Sequence, residues 1–206
     1  VDAVARAVTC AVASKQFGFE KQLSLLVAQA CIAVMPENTF NFNVDNVRVC
    51  KLLGGDIAQS YVVRGMVFQH PPLPSAVTCV QDARIAVFTC AIDAADTETK
   101  GTALLTNASE LVEFNQGEEK QIEGLILEIK NSGVSVVVTG GTVSDLAAHF
   151  MEKHGLFCLR VGSKFDLRRL CRAIKARPLV SLGAVAPDHQ GFCSKVYVKE
   201  VGLSKI

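Results

Sequence analysis

The chain has 206 residues, half of them apolar, with 21 lysines and arginines against 20 aspartates and glutamates. That length allows one large domain or two small ones, with enough apolar side chains for a real core. A formal charge of +1 offers no large basic field to nucleic acid. No apolar run is long enough to span a bilayer, and Val1-Asp2-Ala3-Val4 lacks the charged and apolar regions of a signal peptide. The chain also starts without Met, so it is expected to be cut from a longer protein.

In chain order, Val1 to Ser14 is helical in character, and Lys15-Gln16-Phe17-Gly18 breaks it. Leu23, Leu26, Val27, Ala30 and Val34 form one stripe and predict a second helix ending before Pro36. Asn38 to Asn43 reads as a polar turn. Val47 to Leu52 alternates like a strand with one wet face, and Tyr61-Val62-Val63 and Met66-Val67-Phe68 are predicted as short strands around Gly65. His70-Pro71-Pro72-Leu73-Pro74-Ser75 excludes regular structure, because proline removes the donor and fixes φ. Arg84 to Thr89 is a predicted buried strand.

Asp93 to Asn107 is less apolar. Asn107 and Glu110 have the spacing of a helix N-cap and its N3 partner, predicting a helix to about Gln116, ahead of Gly117. Glu119, Ile122, Leu125, Ile126 and Ile129 carry the next helix, which stops at Asn131-Ser132-Gly133. Val134 to Thr139 reads as a buried strand. After Gly140-Gly141, the residues Val143, Leu146, Ala147, Phe150 and Met151 fall on one helical stripe. Gly155 stops that helix, and Leu156 to Val161 is the next strand. Lys164 to Ala176 is a helix with Arg168, Arg172 and Lys175 on one face, ended by Pro178. Ser194 to Val201 alternates as a half-exposed strand. A helical N-terminal part thus gives way near residue 40 to a mixed α/β domain.

The face opposite the 143–151 stripe carries Ser144, Asp145, Ala148, His149 and Glu152, free to touch something or simply solvated. Gly140-Gly141-Thr142 ahead of a helix could bind an anion through free N–H groups, although no lysine follows as in a phosphate loop. The eight cysteines form no C-x-x-C pair, and most sit in apolar runs. They read as buried, reduced thiols of a cytosolic protein. His70 and His149 have no Cys, His or carboxylate at ligand spacing, so no metal site is expected.

Several stretches together resemble the group II chaperonins, in particular subunits of the eukaryotic cytosolic chaperonin. They include Phe42 to Lys51, Arg64-Gly65-Met66-Val67-Phe68, Glu98-Thr99-Lys100-Gly101-Thr102, Val136 to Gly141 and Asp166 to Cys171, extended by Ser14-Lys15-Gln16 and Ala28-Gln29-Ala30-Cys31. Each is weak alone; their number and order make the match specific, and it covers nearly the whole chain.

The resemblance implies a GroEL-like apical domain, with a sheet and flanking helices, over residues 44–206. A helical intermediate-domain segment precedes it over 1–43, and a helical protrusion serving as a lid segment lies at about 96–117. It implies binding of unfolded or partly folded client proteins through Asp145, Ala148, His149 and Glu152, with Phe68 and Leu73 on the adjacent loop. Leu111 and Phe114 would face neighbouring lid segments or client.

The parent subunit would be a cytoplasmic ATPase using ATP and magnesium, working beside other subunits in a hetero-oligomeric double ring. No role with nucleic acid or membrane is implied. The Gly-Asp-Gly-Thr phosphate loop and the catalytic aspartate segment of the family are absent here, so this chain is expected to be no enzyme and to need no cofactor. Two alternatives stay open: a small α/β enzyme holding a phosphate-bearing ligand at Gly140-Gly141, and a scaffold without a client role.

Overall fold

A computed structural model describes residues 1–93, 108–202 and 204–206, with 108–116 described by their helical backbone alone. The chain divides into two compact units, Val1–Gln69 with Glu200–Ser204, and His70–Lys199 with Lys205–Ile206. The division falls at 69/70, well after the change from helical to mixed sequence character near residue 40.

The first unit holds α1 (Asp2–Ala13) and α2 (Glu20–Ala33), which pack on each other. Gly18 turns the chain between them at φ +93°, and its N–H donates to Glu20 Oε1 at 2.8 Å. That bond is the main reason the Glu20 carboxyl is held below its ordinary pKa. On α2 the buried residues are Ser24 and Ala28, four apart, while Val27 of the expected stripe is 39% exposed. Small residues let the two helices approach, so the buried face turns from the predicted Leu23–Val27 line toward Ser24 and Ala28.

From 34 to 69 the chain runs through short 3-10 turns opened by Asn38, Asn43 and Asp56, whose side chains each accept a backbone N–H. The strands expected at Val47–Leu52, Tyr61–Val63 and Met66–Phe68 are not formed. A strand-like pattern becomes a strand only beside a ladder partner and a surface to cover, and among the described residues these stretches pair with no strand.

The second unit is a four-stranded sheet in the order β3-β2-β1-β4, formed by β1 (Cys79–Phe88), β2 (Val136–Thr139), β3 (Phe157–Arg160) and β4 (Gly191–Tyr197). β1, β2 and β3 are parallel, in register Ile85↔Val136↔Phe157, and β4 is antiparallel to β1. β4 begins earlier than the expected Ser194 and ends at Tyr197; a two-residue strand, β5 (Glu200–Val201), follows after a break.

The connections are α3 (Ala108–Asn131), α4 (Asp145–Lys153) and α5 (Lys164–Ile174). Side chains alternate across a sheet. Ala86, Phe88, Val137 and Cys158 form one buried cluster with Ile122, Ile126 and Ile129 of α3 and with Ala147, Phe150 and Met151 of α4. The alternate residues Ile85, Val87, Val136, Val138, Phe157 and Leu159 are also buried but lie outside that cluster. α5 packs its buried Leu167, Leu170, Cys171 and Ile174 on this second face, against β4 and β1. Its outer ridge exposes Lys164, Arg168, Arg172 and Lys175.

α3 is a single 24-residue helix that runs through Gly117, where the sequence predicts a stop. A helical glycine costs about 1 kcal/mol relative to alanine. Seating Ile122, Ile126 and Ile129 returns roughly 2 kcal/mol for each buried side chain. Of the lid segment, residues 96–107, including the proposed cap Asn107, lie outside the described residues, and the helical backbone from Ala108 belongs to α3.

All eight cysteines are free, but only Cys158 and Cys171 are buried, and Cys10 and Cys79 are exposed. The expectation of generally buried thiols therefore fails: the three thiols in 1–69 are not fully covered, and in the second unit Cys79, Cys90 and Cys193 are exposed or half-buried. No helix among the described residues is long and apolar enough to cross a membrane.

Candidate functional site

α4 is fixed at both ends. Ser144 is its N-cap: the hydroxyl accepts from the Ala147 N–H at 3.3 Å, and the Ser144 N–H donates to the Ile92 carbonyl at 3.1 Å. The Ile92 N–H in turn donates to the Thr142 carbonyl at 2.8 Å, so the residues leading into α4 are laced to those following β1. Ser144 is thus committed to capping and does not belong to the free face. At the other end Gly155 takes a left-handed φ of +66°, and the Leu156 N–H donates to the Met151 carbonyl at 2.9 Å.

Phe150 is 8% exposed and anchors the inner face. The Lys153 ammonium lies 5.4 Å from its ring centroid and 2.7 Å from Glu123 Oε1 on α3. That lysine is the main cause holding the Glu123 carboxyl below its ordinary pKa.

The loop facing α4 is the proline-rich segment 70–75. It docks on the outer edge of β3, where the Leu73 N–H donates to the Cys158 carbonyl at 3.2 Å. The Leu73 side chain packs against the cluster beneath α4. Between loop and helix lies an open groove of about 250 Å³, lined by Leu73, Pro74, Asp145, Ala148, His149 and Glu152.

Five of the six candidate contact residues read from the sequence therefore meet in one place: Asp145, Ala148, His149, Glu152 and Leu73. Phe68 is not among the lining residues; it belongs to the first unit, where it is half-buried. Leu111 and Phe114 fall on the first turns of α3, and their side chains lie outside the described residues. Pro74 enters as a lining residue, as the apolar character of the proline run suggests. Ile92 and Cys158 were not legible as contributors, because they act through backbone groups that carry no signature in the sequence.

The glycine pair ahead of α4 has a structural role. The Gly140 N–H donates to the Phe88 carbonyl at 2.9 Å, and the Gly141 N–H to Thr139 Oγ1 at 3.1 Å. The N–H groups of both glycines are thus spent inside the fold, and neither is free for an anion. A Cβ on Gly141 would stand 2.5 Å from the Ala91 nitrogen, so the residue is glycine because two backbones touch there. Among the described residues no three His, Cys, Asp or Glu side chains converge on a metal-sized site.

The TCP-1/cpn60 chaperonin family model matches residues 1–206. The chain is 45% identical over 204 residues to T-complex protein 1 subunit theta of Dictyostelium discoideum, covering 98% of this chain and 37% of that protein. It is 43% identical over 206 residues to the subunit theta of Homo sapiens, covering 100% of this chain and 37% of the relative. The chain thus spans little more than a third of the length of these relatives. The fold matches an open-state monomer of a group II chaperonin from Methanococcoides burtonii with a TM-score of 0.71 at 22% identity, over 99% of this chain and 46% of that one. The chain belongs to the TCP-1/cpn60 chaperonin family.

Proposed function

We propose that the second unit is an apical, client-binding domain of a theta-type chaperonin subunit, and that the groove between α4 and the 70–75 loop captures non-native protein. The observation that carries this is the groove itself. It brings Leu73 and Pro74, which offer apolar surface already immobilised by proline and a backbone bond, against a helix ridge of charge and hydrogen-bonding groups. Such a surface loses little entropy when a flexible chain settles on it, and its open shape suits a segment rather than a small molecule.

In this reading residues 1–43 are the start of an intermediate domain and residues 96–117, with Leu111 and Phe114, contribute to a lid. ATP with magnesium acts in the parent subunit, within a cytoplasmic hetero-oligomeric ring, and not on this chain. A photo-reactive residue at Ala148 tests the reading, with one at the exposed Lys130 of α3 as control. A permanently unfolded basic reporter, such as reduced and carboxamidomethylated lysozyme, should form adducts from position 148 and few from 130. Equal capture at both positions, or none at 148, rejects the groove as the client site.

A further inference from the structure

The groove's lining narrows what it accepts. Its apolar part is Leu73, Pro74 and Ala148, and its charged part is Asp145 and Glu152, both exposed, with His149 between them on the same ridge. The facing loop adds only Leu73 and Pro74 to the lining. The nearest cation on the helix, Lys153, is already engaged by Glu123 at 2.7 Å. Two carboxylates thus flank an apolar floor with no lysine or arginine on the lining to answer them.

Their spacing sets a register. Asp145 and Glu152 are seven residues apart on one helix, about 10 Å along the axis at roughly 1.5 Å per residue. A polyproline II chain advances about 3.1 Å per residue with three residues per turn, so residues three apart lie about 9 Å apart on the same side of it. Resting on the reading that this groove is the client site, we infer that it selects segments in the polyproline II conformation carrying two lysines or arginines three residues apart, with an apolar residue between them to cover Leu73 and Ala148. The helix macrodipole makes the two ends unequal. Asp145 sits in the first turn, beside the positive pole, which partly answers its charge. Glu152 sits in the last turn, where the exposed carbonyls add to its field. The cation over Glu152 therefore contributes more.

The test is fluorescence anisotropy with labelled nine-residue peptides of one apolar content, carrying cations at i,i+3, cations at i,i+1, no charge, or acids at i,i+3. The i,i+3 cationic peptide should bind most tightly and the acidic one least. Glu152→Gln should weaken it roughly 1.5- to 5-fold, the range of an exposed ion pair, and Asp145→Asn should weaken it less. At about 1 M salt, where the screening length falls to about 3 Å, the order among peptides should collapse. Both variants lie on the exposed ridge, so unchanged circular dichroism confirms that each is folded. Neutral or acidic peptides binding as well as the i,i+3 cationic one, with adducts still forming at position 148, overturn this inference and leave the client reading standing. Absence of adducts at 148 with any peptide overturns the client reading itself.

Discussion

Replacing Gly141 by alanine puts a methyl group where three backbone atoms already sit, at 2.5 Å from Ala91 N, 2.6 Å from Ala91 Cα and 2.7 Å from the Cys90 carbonyl carbon. No rotamer of a neighbour relieves this, because none of the three atoms belongs to a side chain. The residues after β1 must move away from the start of α4. Overpacking of this kind costs about 1–3 kcal/mol. The movement also strains two hydrogen bonds of 2.8 Å, Ile92 N–H to the Thr142 carbonyl and Thr139 Oγ1 to the Cys90 carbonyl, each worth about 1 kcal/mol. Gly141→Ala should therefore lose about 2–4 kcal/mol in urea unfolding followed by circular dichroism. Gly140→Ala is the control: its new methyl would first meet the flexible Leu167 Cδ2 at 3.6 Å, an ordinary contact, so its loss should stay below about 1 kcal/mol. Equal losses for the pair would refute the close-approach argument and reopen the question of why two glycines precede α4.

Phe150→Ala should lose about 3–5 kcal/mol, the range for truncating a buried aromatic, whereas the exposed His149→Ala should change stability by less than about 0.5 kcal/mol; similar melting losses would show the helix phase to be wrong. Gly124→Ala should stabilise the chain by about 0.5–1 kcal/mol, since the position is helical and exposed and a Cβ there meets nothing within 4 Å; a loss in urea unfolding would contradict it. Burial pushes the Cys158 thiol up from 9.0 to about 12. The unfolded chain then releases that proton first, so this group's contribution to stability is intact below pH 9 and declines by about 1.4 kcal/mol per unit as the pH rises toward 12. Cys158→Val should flatten the alkaline loss of stability, and in the native state iodoacetamide should label Cys10 and Cys79 far ahead of Cys158.

Much of the second unit was legible because its signals are periodic. The stripe Val143–Met151 placed α4 and its free ridge, and the unbroken run Val136–Thr139 could only be a strand covered on both faces. That Asp145, Ala148, His149 and Glu152 share one ridge followed from helix geometry, whereas their reading as contact residues came from the family resemblance. What joins them to Leu73 did not, since an N–H donated to a carbonyl across 85 residues of chain leaves no trace in side-chain types. The stretch 47–68 misled for a related reason: alternation describes a surface waiting for a partner, and the partner is a tertiary fact. Gly117 misled because glycine marks a stop only where nothing on either side rewards continuing, and Ile122 and Ile126 reward it.

The sheet also keeps apart two kinds of charge. The acidic ridge of α4 lies over one face, and Lys164, Arg168, Arg172 and Lys175 of α5 lie over the other. A formal charge of +1 therefore conceals a dipole across the second unit. Such a body drifts slowly in an electric field but turns in it. At low ionic strength it should be retained by both anion and cation exchangers, each through a different face. Within a Debye length, about 10 Å at 0.1 M salt, a charged neighbour therefore feels which face is turned toward it and not the net charge.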